Sequence, residues 1–346
     1  MKTLFKGCAL AALVLCVGGQ VDAKTHAAKH PSKADAADAA ATDPAPTADE
    51  SGSAALAPEE AAFFTALGHR LTDAATAYQA YVSRASALDG RFANGQSVQA
   101  ALKVGEDYNP HQLQEGVVAY AAVLALRNQT FVEGVRAQAR ASQISGLIDQ
   151  PDAVLRIRGA DQAAMEVSAT LRAQAQALLA AGRLIHQAAY TVQHQAWSKA
   201  SVSEPARVLA SAKALAARVS AADDRAKRRL LDSLAAAPMS GPAGSAPAPE
   251  VVQGLALAAV AILGGAGDGQ EARLEPLLQD ARGSDCLAMA KMNLNQCLAV
   301  AGPQYEDVFC LGQHAVEETG QCLAAASGRA PAYSGSDRGA GDVASR

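Results

Sequence analysis

The chain predicts an all-α fold: an elongated antiparallel helical bundle with coiled-coil-like seams, joined to a small C-terminal helical hairpin stapled by disulfides. Three observations carry this. Apolar residues make up 50% of the 346 residues but aromatics only 4%, so Ala, Leu and Val must fill the core, and that is a helical composition. Long stretches repeat their apolar positions at alternating intervals of three and four residues. Four cysteines outside the leader, Cys286, Cys297, Cys310 and Cys322, fall in two such stretches separated by Gly302 and Pro303.

Residues 1–23 carry Lys2 and Lys6, an apolar run from Ala9 and the small-residue pattern Val21-Asp22-Ala23, the layout of a secretory signal peptide. Cys16 follows Leu15, which does not fit a lipidation site, and the short leader points to a bacterial protein that is periplasmic or secreted. Residues 24–57 are rich in Ala, Asp, Lys and Pro and cannot repay the entropy of ordering, so they read as a disordered tether, with His26 and His30 as solvated tail residues.

The helical bundle spans 58–236. Pro58, with Glu59 and Glu60 behind it, opens a first helix whose stripe runs Phe64, Leu67, Leu71, Ala74, Tyr78, Tyr81, Ala85 and Leu88 to a stop at Gly90. A shorter helix is expected at 97–104. Asn109-Pro110 then opens a long one running to about Ile148 through Val117, Tyr120, Leu124, Phe131 and Val135, which would place the Asn128-Gln129-Thr130 sequon inside a helix. The seam at 161–197 is the most regular, with inner positions Ser168, Leu171, Ala175, Leu178, Gly182, Ile185, Ala189, Val192 and Ala196. Small residues recur every seventh position there, so a partner helix can approach closely. A last helix from Pro205, with Val208, Ala212, Leu215, Val219, Ala226 and Leu230 inward, should lie antiparallel beside it.

Residues 237–250 form a Pro/Gly/Ala linker, and 251–326 a helical subdomain in which acids outnumber bases. Its first thirteen residues are nearly all apolar but too few to cross about 30 Å of hydrocarbon, so no transmembrane span follows removal of the leader. Residues 327–346 read as a disordered tail.

Cys286 and Cys297 are eleven residues apart and Cys310 and Cys322 twelve, about 16 and 18 Å along a helix, too far for either sequential pair to bond. An antiparallel hairpin turning at Gly302-Pro303 faces Cys297 with Cys310 and Cys286 with Cys322. The second arm is some 120° out of phase over its twelve residues, and Gly312 or a small offset must absorb the difference. A zinc site wants cysteines two to four residues apart and is the weaker fit. The arrangement resembles the twin-cysteine helical hairpins of the mitochondrial intermembrane space, with longer intervals between the cysteines of each arm, which makes it a similar device rather than a sign of membership.

No catalytic signature stands out. His186, Tyr190 and His194 recur at intervals of four on one helix, but no Glu-x-x-His or His-Glu-x-x-His accompanies them, so no metal or cofactor is expected. The run GGAGDG at 264–269 lacks the Lys-Ser/Thr ending of a phosphate loop and reads as a turn. Two clusters are candidate interaction surfaces. Arg225, Lys227, Arg228 and Arg229 lie near a helix end, where cations complement the helix dipole or meet an anionic partner. Glu306, Asp307, Glu317 and Glu318, with His314, give the stapled hairpin an acidic face. Trp197 ends the long seam as a packing residue.

The full chain carries a net charge of −4, a mild balance that argues against nucleic-acid binding. The expectation is therefore a non-enzymatic exported envelope protein acting through helix-mediated contacts with a protein partner or with itself. The alternative is an envelope hydrolase or metal-dependent enzyme in which acids such as Glu115, Glu133 and Glu166 meet in a bundle cavity.

Overall fold

The computed structural model describes residues 56–237 and 246–328; the expected leader, nearly all of the expected tether, residues 238–245 of the expected linker and the expected tail beyond 328 lie outside the described residues. The described chain is all helical, with one isolated bridge between Ser201 and Pro303 and no strand. Its helices are α1 (Pro58–Leu67), α2 (His69–Ser86), α3 (Gly95–Glu106), α4 (Pro110–Ala125), α5 (Gln129–Gln138), α6 (Ile144–Asp149), α7 (Ala160–Val192), α8 (Pro205–Ala217), α9 (Asp224–Ala236), α10 (Pro249–Ile262), α11 (Glu271–Leu278), α12 (Ala281–Val300), α13 (Gln304–Cys310) and α14 (Glu318–Ala326). Residues 311–317, between α13 and α14, form a π-helical stretch.

The core is built around α4, whose residues from Val117 to Val123 are all buried because α2 covers one side and α10 another. Alanines at 119, 121 and 122 let these neighbours approach closely, which is how a core poor in aromatics fills its space. The aromatic residues buried there place their polar ends. The Tyr78 hydroxyl donates to Gln174 at 3.0 Å, and the Tyr81 hydroxyl donates to the carbonyl of Ala315 at 2.9 Å. Because α10 follows the Pro/Gly/Ala linker and α4 precedes it, one hydrophobic core draws on both sides of that linker.

Several expected helices break where side chains outside the helix offer better partners for the backbone. The helix expected from Pro58 to Leu88 divides at Gly68, which has φ +77° and ends α1. The first amide of α2, at His69, donates to the Asp268 carboxylate at 2.7 Å. The glycine-rich run at 264–269 is thus a turn, as its sequence implied, and it carries a cap for a helix 199 residues away. The helix expected to reach Ile148 stops at Ala125, and Asn128 caps α5 by accepting from the Phe131 amide at 2.9 Å. Asn128 is therefore buried at a helix start, not inside a helix.

The last bundle helix divides between Arg218 and Asp223. Ser220 and Gln112 exchange two hydrogen bonds, of 2.9 and 2.6 Å, and the Ala222 amide donates to Asp73 at 2.8 Å, so the loop is held in an open conformation by α4 and α2. Val219, expected inside, is exposed. The α8 helix packs on α3 and α12, and α9 on α2, in place of the expected antiparallel pairing with α7.

The partner of the α7 seam is the second arm of the cysteine hairpin. α13, the π stretch and α14 all lie along α7, whose Leu171, Ala175, Leu178, Gly182, Ile185, Ala189 and Val192 are buried, while Ala196 lies past the helix end and is exposed. At Gly182 an added Cβ would stand 2.6 Å from the Glu317 nitrogen and 2.7 Å from its Cα. Gly312 meets the His186 backbone in the same way. Two glycines on opposite sides allow the two backbones to touch.

Candidate functional site

Both expected disulfides are present in nested order, Cys286 with Cys322 and Cys297 with Cys310, each with Cα atoms 5.7 Å apart. The π stretch lies between Cys310 and Cys322. Its wider turn takes up the one extra residue of that arm, so both cysteines of the arm face α12. With the second arm pressed on α7, the first arm, α12, lies on the other side of it and also packs on α4 and α8.

α12 buries Leu287, Ala290, Lys291, Leu294 and Leu298 at helical spacing. Its other face leaves Met289 52%, Met292 44% and Val300 83% exposed. At the hairpin turn Val300 borders a groove of about 530 Å3 beside the Cys297–Cys310 bond, lined chiefly by Tyr190, Val300, Ala301, Tyr305 and Phe309. The expected row of His186, Tyr190 and His194 divides here. His186 packs edge-on against Phe309 with ring centres 4.7 Å apart, Tyr190 stays 58% exposed at the groove, and His194 is exposed past the end of α7. The two histidines do not converge. His186 instead lies 4.0 Å from Glu317, and its Nε2 is buried without a hydrogen-bond partner.

The four hairpin acids do not form one exposed face. Asp307 is buried and accepts from the Gln99 amide at 3.1 Å, while Glu317 is buried beneath Arg183. Glu318 takes hydrogen bonds from Asn293 at 2.9 Å and shares one with His314 at 2.8 Å. Glu306 accepts from the Gly302 amide at 2.7 Å and so closes the hairpin turn. Each acid holds the hairpin to itself or to a neighbour, because the second arm is an inner layer.

Beneath that arm, Glu106 of α3, Lys291 of α12 and Asp307 of α13 form a buried group of three ionisable side chains. The Lys291 ammonium donates to the Glu106 carbonyl and sits 3.8 Å from the centre of the Tyr108 ring. Burial lowers the Lys291 pKa to about 7, against the pull of Glu106 and Asp107. Burial also raises Glu106 to about 7, with Lys291 opposing and Asp307 adding, and it raises Asp307 to about 6 against the Gln99 hydrogen bond. Sequence reasoning passed over Glu106 and Lys291, yet both had a signal. Lys291 falls four residues after Leu287 and three before Leu294, and Glu106 four after Leu102, so each charge sits in phase with a buried stripe.

The basic cluster occupies the opposite helix end from the one expected. Because α9 starts at Asp224, Arg225 to Arg229 stand in its first turns, where the dipole disfavours cations. Arg228 lies 3.5 Å from Glu60, and Lys227 lies 3.7 Å from Asp224 and 5.8 Å from the Phe64 ring centre. Arg225 and Arg229 are exposed. Trp197 packs partly buried against the core, as expected.

The acids of the enzymatic alternative have separate partners. Glu115 pairs with Arg70, Glu133 with Arg158 at 3.4 Å, and Glu166 accepts from Asn128 and Gln162. Among the described residues one group, His111, Glu115 and Glu275, brings its ligand atoms within 4.8 Å. The Arg70 guanidinium already bridges both of its carboxylates, so the cation that joins α2, α4 and α11 is a side chain of the protein. No protein-family model, curated protein or solved structure matches this chain, so its function is argued from the residues and geometry described above.

Proposed function

We propose that this is an exported, non-catalytic protein of the bacterial envelope that docks a protein partner on the outer face of its stapled hairpin. The observation that carries the reading is the set of exposed apolar residues Met289, Met292 and Val300 on one face of α12, the last of which lines the aromatic groove with Tyr190, Tyr305 and Phe309. Large apolar side chains left in water beside an apolar groove mark contact sites, and methionines adapt to a partner's shape. Two disulfides hold this face without a partner's help, so binding orders little new chain. The same bonds suit an oxidising compartment, in keeping with the leader at 1–23. No helix among the described residues is long and apolar enough to cross a membrane.

The test is site-specific photo-crosslinking in intact cells, with the photoreactive residue placed in turn at Met292, Val300 and, as a control on exposed α5, Arg136. A product of defined mass at 292 and 300 but not at 136 supports docking, and its mass separates self-association from a different partner. Equal labelling at all three positions, or none at 292 and 300, overturns it.

A further inference from the structure

A second cleft, of about 630 Å3, opens where α2, the α3–α4 connection, the α8–α9 loop and the start of α9 meet. Three arginines from three different elements line it: Arg84 near the end of α2, Arg218 of the loop and Arg229 of α9. The acids on its wall are Asp107 and Asp223. Asp107 is shared. One of its carboxylate oxygens takes Arg84 at 2.7 Å and the other takes Arg218, so a single negative charge faces two guanidiniums.

Asp223 is also engaged, because its Oδ1 accepts the Ala226 amide at 2.6 Å as the cap of α9. Arg229 has no hydrogen-bond or ion-pair partner among the described residues. Three guanidiniums against two carboxylates leave the lining with one positive charge in excess, and the N-terminal end of the thirteen-residue α9 adds to it. The loop that carries Arg218 is fixed to α4 and α2 by the Ser220, Gln112, Ala222 and Asp73 hydrogen bonds, so the arginines are presented by a braced wall.

We propose that this cleft binds a compact polyanion, carrying phosphate or clustered carboxylate groups, with Arg229 as its free ligand and Arg84 and Arg218, which share the single carboxylate of Asp107, as further cations. The volume suits a small molecule. The site is distinct from the exposed face of α12, so the two proposals stand or fall separately. Planar guanidiniums favour oxygen anions through paired N–H donors, which is the chemistry the cleft offers.

Isothermal titration calorimetry on the full chain with its disulfides intact tests this, using inorganic pyrophosphate and citrate as probes at low ionic strength. Saturable binding is expected in the millimolar range or tighter, weakening as salt is added. Arg229→Gln should lower affinity about tenfold, about 1.4 kcal/mol, and Arg225→Gln, outside the cleft, should leave it unchanged. Response to pyrophosphate alone identifies a phosphate ligand, and to citrate alone a carboxylate ligand. Absence of saturable binding by either probe overturns the proposal. So does equal weakening by both substitutions, which would mark a diffuse surface field.

Discussion

Replacement of Gly182 by alanine tests the packing of the α7 seam most directly, because two effects of known sign oppose each other. In an isolated helix the change is favourable by about 1 kcal/mol. In the folded protein the new methyl would stand 2.6 Å from the Glu317 nitrogen and 2.7 Å from its Cα and Cβ. Ordinary carbon contacts lie near 3.5–4.0 Å, so the arms must part by about 1 Å. Backbone atoms cannot rotate aside, and two disulfides tie the second arm to α12, so relief at 317 drags neighbouring contacts with it. Overpacking of this kind costs about 1–3 kcal/mol. The net expectation is a loss of up to about 2 kcal/mol, read by urea unfolding followed at 222 nm under non-reducing conditions. Gly146→Ala in α6 is the control. Nothing lies within 4 Å of its added Cβ, so only the propensity gain should remain. A gain in stability for Gly182→Ala equal to that of Gly146→Ala would refute the close approach.

Two further expectations concern the hairpin. Separate removal of the disulfides by paired Cys→Ser changes should cost about 3 kcal/mol for Cys297–Cys310 and about 4 kcal/mol for Cys286–Cys322, from loops of 13 and 36 residues. Unfolding curves that match wild type would contradict this. For Asp307 the folded pKa, about 6, lies above the unfolded value of about 3.9. The native state therefore binds more protons between those values, so stability falls as pH rises through that window. Asp307→Asn should remove this contribution, and its stability relative to wild type should rise between pH 4 and pH 7. A difference that stays flat over that range would show that the carboxylate is not buried as described.

What was legible in the sequence were features whose cause is local. Periodic apolar residues implied helices, the cysteine intervals implied a nested pairing, and the small positions of 161–197 implied a close partner. The breaks were not legible, since the groups that stabilise them are remote: Asp268 caps α2, and Gln112 and Asp73 hold the loop before α9. One missed break also reversed the meaning of Arg225 to Arg229. Near a helix C-terminus they would complement the dipole, whereas at the start of α9 they oppose it. The acids of the hairpin were misplaced for a related reason. Their exposure depends on which arm faces inward, and the cysteine spacing is the same either way.

That choice of inner arm follows from the glycines and narrows where a partner can bind. Gly312 and Gly320 are on the second arm and meet α7, at His186 and Leu179, while Gly182 answers from the α7 side. The corresponding stretch of α12 between its cysteines, from Leu287 to Gln296, has no glycine and carries methionines, so it could not approach α7 as closely. The second arm is thereby committed to the core, and its Asp307 and Glu317 are used within the fold. What the hairpin leaves open is the exposed face of α12 and the groove at the turn, where Tyr305 and Phe309 of α13 are reached. The inner side of α12 is occupied by Leu287, Lys291 and Leu294, and both of its cysteines are tied to the second arm. On the docking proposal a partner would therefore meet Met289, Met292 and Val300 and the aromatic groove at the turn, where Glu306 is the one hairpin acid in the lining.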